Sequence, residues 1–353
     1  MMKIAINVNS IETSWGGGNQ FIINLKNYLI KKKCKIFNNL KHNDLDIILI
    51  IDPRWRNQHL NFTVGQSISY RTHTNKNTKI IHRINECDER KNTNFINKIL
   101  KRSNYLVDHT VFVSEWLKNV HNWNWLNEEN TSVILNGSDR KIFFPKKNIL
   151  LNKKIKIVTH HWSNHWMKGF KYYLKIDKLL ESSEYSNLIS FTYIGNLPKN
   201  NFFKNTIHIK PLNGLDLRNE LVKHDFYITA SENEPGGNHN NEAVLCGLPI
   251  LYLKSGSMDE YCKDVGIAFD NDNFLEKFKY FIKNFDNYII NTQKYSNDSD
   301  KMSKKYFDLF NNILTKGQKN INKPKFYTRL NLNIETLFFI AKMNLKKIKN
   351  NLA

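Results

Sequence analysis

Short apolar runs rich in Ile and Val alternate with longer stretches of helical period along most of the chain. Strands buried on both faces read as continuous apolar runs, and each parallel crossover needs a helix-length segment, so the alternation predicts parallel sheets covered by helices. In the first half the predicted strands are Lys3 to Val8, Leu45 to Ile51, Lys79 to Ile84, Thr110 to Val113 and Ser132 to Leu135. Phe21, Leu25 and Leu29 mark one face of a helix between the first two. After a polar connector, KKNILLNKK at 146–154, the pattern restarts with strands at Lys156 to Thr159, Ser190 to Ile194, Thr206 to Ile209, Asp225 to Thr229, Ile250 to Leu253 and Gly266 to Phe269. Helices are predicted at Lys168 to Leu180, Leu215 to Val222 and Asn240 to Cys246.

The expected fold is therefore α/β: two Rossmann-like, doubly wound domains facing a cleft, 1–150 and 151–300, followed by a helix at 301–318 that crosses back to the first domain. Met302, Tyr306, Leu309, Phe310 and Ile313 form the apolar stripe of that helix. The remaining 319–353 reads as a basic helical tail, with eight basic residues against Glu335, and Leu337, Ala341, Leu345, Ile348 and Leu352 fall on one of its faces.

Composition agrees with two cores. A length of 353 residues exceeds what one core fills, and a hydrophobic share of 41% with 22 Phe, 15 Tyr and 7 Trp excludes global disorder. The formal charge of +21 draws the chain toward nucleic acid, anionic lipid or phosphorylated substrates, although the abundance of Lys, Asn and Ile equally fits drift of an AT-rich coding sequence. Cys34, Cys87, Cys246 and Cys262 show neither C-x-x-C pairing nor zinc-finger spacing, which fits a reducing compartment. The opening MMKIAINVNSIET has no apolar stretch behind a basic end, and no run reaches the roughly 18 apolar residues of a membrane span, so a cytoplasmic protein, soluble or peripheral at the inner face of the membrane, is expected.

The chemistry concentrates in SENEPGGNHNNEAVLCGLP, residues 231–249, where seven residues separate Glu234 from Glu242. The first Glu belongs to a loop after a strand, at the edge where open α/β sheets bind ligands, and the second to the first turn of the following helix. The glycines let backbone approach a ligand, and a helix start offers free N–H groups to phosphate. IVTHHWSNHWMKGF, residues 157–170, sits at the first strand-to-helix turn of the second half, and its Lys168 is suited to neutralise a pyrophosphate. Its three His and two Trp leave a metal site or an aromatic cluster open as alternatives. GGGNQF at 16–21 resembles a dinucleotide fingerprint, but Phe21 takes the third Gly position and no acidic residue closes the second strand, which disfavours nicotinamide. IIHRINECDER, residues 80–90, sets His82 at the end of a strand, with Arg83, Asp88 and Arg90 in the loop beyond it.

E-P-G-G followed by N-E-A-V-L-C-G-L-P resembles the paired-glutamate motif of the retaining GT-B glycosyltransferases of family four, a likeness that extends over about residues 1–315 through VFVSEWLK, VILNGSDRKIFFP and SGSMDEY. The resemblance implies a GT-B fold and a metal-independent, retaining hexosyltransferase acting in polysaccharide or glycan synthesis. It places Glu234 and His82 at the reacting sugar and Glu242 on the ribose. His161, Lys168, Gly237, Asn238, Asn240 and Asn241 fall at the donor phosphates, and Gly16, Gly17 and Gly18 form a turn whose backbone would approach the donor phosphate or the acceptor. The family's usual Arg five residues before Lys168 is Ser163 here, so His160, His161 or another basic group would have to stand in. No cofactor is implied, the nucleotide sugar being a substrate. A glycan or glycolipid hydroxyl would be the acceptor, peripheral contact with anionic membrane is expected of the tail, and nucleic acid is not an expected partner. Two rival readings remain: another GT-B enzyme, such as a nucleotide-sugar epimerase or a sugar phosphorylase, and a basic nucleic-acid-binding protein.

Overall fold

The computed structural model describes residues 1–11, 17–121, 123, 125–146, 154–199, 203–316 and 326–351. The expected pair of doubly wound layers is present as two six-stranded sheets with parallel pairing throughout. The first contains β1 (Lys3–Ile6), β2 (Lys35–Phe37), β3 (Ile47–Ile50), β4 (Lys79–Ile84), β5 (His109–Phe112) and β6 (Thr131–Val133), ordered β2-β1-β3-β4-β5-β6. The second contains β7 (Ile155–His161), β8 (Ile189–Gly195), β9 (Ile207–Ile209), β10 (Phe226–Thr229), β11 (Ile250–Leu253) and β12 (Gly266–Phe269), ordered β12-β11-β10-β7-β8-β9. The order reverses beside β1 in one sheet and between β7 and β10 in the other. Loops leaving the carboxyl ends of strands at such a point diverge to opposite faces and open a crevice.

Burial explains the strands. All of β3, β4, β10 and β11 is buried, and apolar residues occupy both faces of β3, β10 and β11 without alternation, while β4 also buries Lys79, His82 and Arg83. The edge strand β2 has three partly or fully exposed residues. Asn7, fully buried after β1, ties the first switch point together: its amide donates to the Asp52 carbonyl at 2.7 Å and accepts from the Ile51 N–H at 2.8 Å.

The helix Ser299–Thr315 starts where the Asp298 carboxylate accepts from the Lys301 N–H at 2.8 Å and packs on the first sheet. Its Met302, Tyr306, Phe310 and Ile313 join Ile4, Phe21, Leu25 and Leu29 in one core, with Tyr306 edge-on to Phe21 at 5.2 Å between centroids. Burying each such side chain contributes about 1.5–3 kcal/mol. A last helix, Phe326–Asn351, lies against the helix Val64–His73. It buries Leu332 and Phe339, bonds Thr336 to Thr63 at 2.8 Å and pairs Glu335 with Arg102. The apolar stripe read from the tail is a different face: Leu337, Leu345 and Ile348 are exposed, while Leu352 lies outside the described residues. No helix among the described residues is long and apolar enough to cross a membrane.

The halves meet along one seam. The Glu260 carboxylate accepts from the Glu115 and Trp116 N–H groups at 2.7 and 2.6 Å, capping the helix Glu115–Asn119 from across the seam. Ser114 donates to the Pro235 carbonyl at 2.6 Å, Tyr261 to the Val113 carbonyl at 2.8 Å, and the Asn136 amide to the Gly236 carbonyl at 2.7 Å. These bonds fix the loop after β10 against the carboxyl edge of the first sheet.

Candidate active site

Two adjoining cavities occupy the space between the sheets. One, of about 220 Å3, opens at the second switch point and is lined by the end of β7, the loop after β10 and the helix Asn238–Leu245. The other, of about 580 Å3, opens at the first and is lined by loops after β1 and β3. Gly18, Arg83, Asn85 and Arg90 border both.

Glu234 is 4% exposed in the smaller cavity, and two cations hold it. Lys168 makes an ion pair with one carboxylate oxygen, and the Arg90 guanidinium stands 3.7 Å from the other. Arg90 is itself anchored to Glu86 at 2.8 Å. Burial by itself would raise the Glu234 carboxyl, but Lys168 and Arg90 outweigh it and hold the group well below the usual carboxylate range. Two left-handed glycines make the arrangement possible. At Gly169, φ is +99° and an added Cβ would stand 2.6 Å from the Ala230 Cβ, so only glycine lets the turn bearing Lys168 lie on the end of β10. At Gly256, φ is +64° and a Cβ would stand 2.4 Å from the Glu234 nitrogen; the close approach lets Ser257 donate twice to the Glu234 carbonyl, both bonds at 2.9 Å.

Glu242 is the fifth residue of its helix rather than part of the first turn, and its carboxylate meets the His160 Nε2 at 2.8 Å. Beneath them His161 bonds Tyr173 at 2.8 Å and His239 bonds Thr229 at 2.9 Å, with the two rings edge-to-face at 4.9 Å. Burial pushes His239 down to about 3 and His161 well below its ordinary value, so both rings are neutral packing elements of the cleft floor. His165 caps the short turn Trp166–Lys168 by accepting from the Met167 N–H at 3.3 Å. The histidines thus resolve as an aromatic cluster, and among the described residues no group of three or more His, Cys, Asp or Glu is arranged to hold a metal ion.

Lys168, His161, Glu234, Gly237, Asn238 and Glu242 line the smaller cavity together, with Gly18 facing them from the helix Gly17–Lys31. Gly17 opens that helix, and Gly16 lies outside the described residues. Asn240 and Asn241 are fully buried and line neither cavity. Asn241 bonds the Asn136 carbonyl at 3.0 Å and receives the Tyr295 hydroxyl, so its side chain serves the seam and the core. Of the two residues only the N–H groups, in the first helical turn, remain for a ligand.

His82 departs from expectation more sharply. It lies inside β4, is fully buried, bonds Asn104 at 2.9 Å and borders neither cavity. Successive side chains of a strand point to opposite faces, so His82 packs against Asn104 on one face and Arg83 on Phe21 on the other, and of the two only Arg83 borders the cavities. Arg83 is accordingly a strand residue, not part of the loop beyond. Asp88 is occupied in local structure, accepting from Thr93 at 2.6 Å and from the N–H groups of Phe95, Ile96 and Asn97 at 3.0, 2.8 and 3.1 Å. Arg90 and His160 reach the site by long-range contact, and their spacing from Glu234 and Glu242 carries no sign of it, whereas His239 lies inside the motif at 231–249.

No protein-family model and no curated protein matches the sequence. Solved structures do. HepE from Anabaena in complex with UDP aligns with a TM-score of 0.66 at 12% identity, over 88% of this chain and 100% of that one. Sucrose-phosphate synthase from Thermosynechococcus elongatus gives 0.65 at 12% identity over 89% and 99% of the two chains, and a glycosyltransferase from Rickettsia africae gives 0.58 at 17% over 90% and 91%. The fold is GT-B. In GT-B terms, the paired cavities are the cleft between the two Rossmann-like halves, with Glu234 in the smaller one and its partner Arg90 bordering both.

Proposed function

We propose that the chain is a metal-independent, retaining glycosyltransferase of the family-four type, moving a hexosyl group from a nucleoside-diphosphate sugar to a hydroxyl of a glycan or glycolipid. The observation that carries this is Glu234, a buried carboxylate in the smaller cavity kept ionised by Lys168 and by Arg90, which borders both cavities. Structures of HepE with UDP-glucose and with UDP and glucose, on the same fold, support a nucleotide-sugar donor. In this reading residues 151–300 hold the donor and 1–150 the acceptor, 301–318 ties the chain back, and 319–353 is the basic tail.

The chemistry follows from the charges. Glu242 accepts from the ribose hydroxyls, and the helix start at Asn238 together with Lys168 neutralises the diphosphate as it leaves. The acceptor oxygen bonds to the anomeric carbon on the face from which the diphosphate departs, and the acceptor proton passes to a departing phosphate oxygen. Positive charge gathers on the sugar ring during the exchange, and the fixed Glu234 carboxylate stabilises it. Paired with two cations, Glu234 is a poor nucleophile, so no covalent intermediate is assigned.

Thermal unfolding with GDP, UDP, ADP and their sugar conjugates tests the reading. One nucleotide family should stabilise the wild type by about 2.7 kcal/mol at a hundredfold excess over its dissociation constant, and Lys168→Ala and Glu242→Ala should lose the effect. Absence of a shift with every nucleotide at millimolar concentration would overturn it.

The exposed Leu337, Leu345 and Ile348 on the basic last helix fit peripheral docking on anionic lipid. Replacing all three with Gln leaves Leu332 and Phe339 in place and should lower binding to phosphatidylserine-containing vesicles about tenfold or more in a sedimentation assay. Equal partitioning of variant and wild type would sink the docking proposal.

A further inference from the structure

Arg83 is the least explained charge in the cleft. It is 1% exposed, lies with its guanidinium carbon 3.9 Å from the centroid of the Phe21 ring, and donates from Nη2 to the Asn136 Oδ1 at 2.9 Å. Its Nε and Nη1 are buried, and apart from the Tyr306 hydroxyl, a neutral contact, no side chain among the described residues offers them a partner. The neighbouring cations differ: Lys168 and Arg90 share Glu234, Arg90 also has Glu86, and Arg54 has Asp52 at 2.7 Å. No carboxylate among the described residues pairs with Arg83. The aromatic hydroxyls nearest it, Tyr261 and Tyr306, are held neutral by burial. A buried guanidinium without a counterion is costly, and it persists in a fold when a ligand supplies the missing anion.

Its surroundings locate that anion. Arg83 borders both cavities. Through Asn136 it is also one side chain removed from the turn that opens the helix Asn238–Leu245, because the same amide that accepts from Arg83 donates to the Gly236 carbonyl at 2.7 Å. The start of that helix borders the cleft from the second sheet, and Arg83 borders it from the first. We infer that Arg83 is a diphosphate-binding residue contributed by the opposite half, so that a phosphoryl oxygen of a nucleoside diphosphate bridges the start of the helix Asn238–Leu245 and the guanidinium on β4. The inference rests on the transferase reading and adds to it a cation from the N-terminal half, so that phosphate binding holds the two halves together.

Calorimetric titration of the full chain with UDP, GDP and ADP and with the parent nucleosides separates the possibilities. Arg83→Met should weaken the nucleoside diphosphate that binds wild type by about 10- to 100-fold and leave its nucleoside unchanged, because a charge-assisted bond to phosphate is lost and nothing on the base is touched. The unliganded variant should melt no lower than wild type, since an uncompensated buried charge has been replaced by an apolar side chain. Arg83→Lys, which keeps the charge without the planar fork, should fall between the two, and it serves as the probe if the Met variant does not fold. Equal diphosphate affinity in wild type and variants would overturn the inference while leaving the transferase reading intact. Failure of wild type to bind any nucleotide would overturn both.

Discussion

Glu234→Gln is expected to lower turnover by about 10²–10³-fold with donor binding much less affected, because the amide cannot offset the positive charge that gathers on the sugar only as the bond breaks. The substitution changes one atom and nearly no volume, yet it removes the anion shared by Lys168 and Arg90. Stability should therefore fall too, by about 3 kcal/mol, the scale on which breaking a buried pair strands its partner. Initial rates at saturating donor, read beside an unfolding curve, separate the two effects. A folded variant with turnover within threefold of wild type would remove Glu234 from the reaction.

Acid should unfold the protein early. Burial pushes His82 and His224 down to about 4, His239 to about 3 and His161 well below its ordinary value. In the unfolded chain the same rings take protons below about pH 6.5. Between those limits the unfolded state binds more protons than the native one, so stability declines as pH falls. Each ring contributes about 1.4 kcal/mol per pH unit, roughly 5 kcal/mol per unit for the four together, against a typical total of about 5–15 kcal/mol. Glu234 has the same sign in a lower window: its stabilisation is complete above the unfolded carboxyl value, about 4.3, and is lost only as pH falls below that. The urea midpoint should thus be steady above pH 7 and collapse between about pH 6 and 5, above the window in which Glu234 titrates. A midpoint flat from pH 7 to 5 would contradict the buried, neutral state of these rings.

The strands were legible because their pattern is the physics of their burial: a run such as Ile47 to Ile50 has no polar face to offer solvent, so it reads as a central parallel strand. The motif at 231–249 was legible for a similar reason, since a Pro-Gly-Gly turn between a buried strand and a helix is a local event. What failed to show was direction. His82 and Arg83 are adjacent polar residues near the end of an apolar run, and the sequence does not say which of them borders the cleft. Burial of the imidazole against Asn104, and of the guanidinium on Phe21, decides it. Ion pairing was equally hidden: Lys168 reaches Glu234 across 66 positions and Arg90 across 144, so neither contact leaves a periodic trace. The tail misled in another way. Its regular stripe of Leu337, Leu345 and Ile348 is exposed, while Leu332 and Phe339 do the packing.

The return of the chain to the first sheet sets an order on its making. A ribosome supplies residues from the N-terminus onward, and the second half has all its core side chains once Tyr295 is added. The first half, though begun earlier, still waits for Met302, Tyr306, Phe310, Ile313 and finally Leu332 and Phe339. Until then the faces that carry Ile4, Phe21, Leu25 and Val64 have no cover, so the half that is synthesised first is the last to be completed.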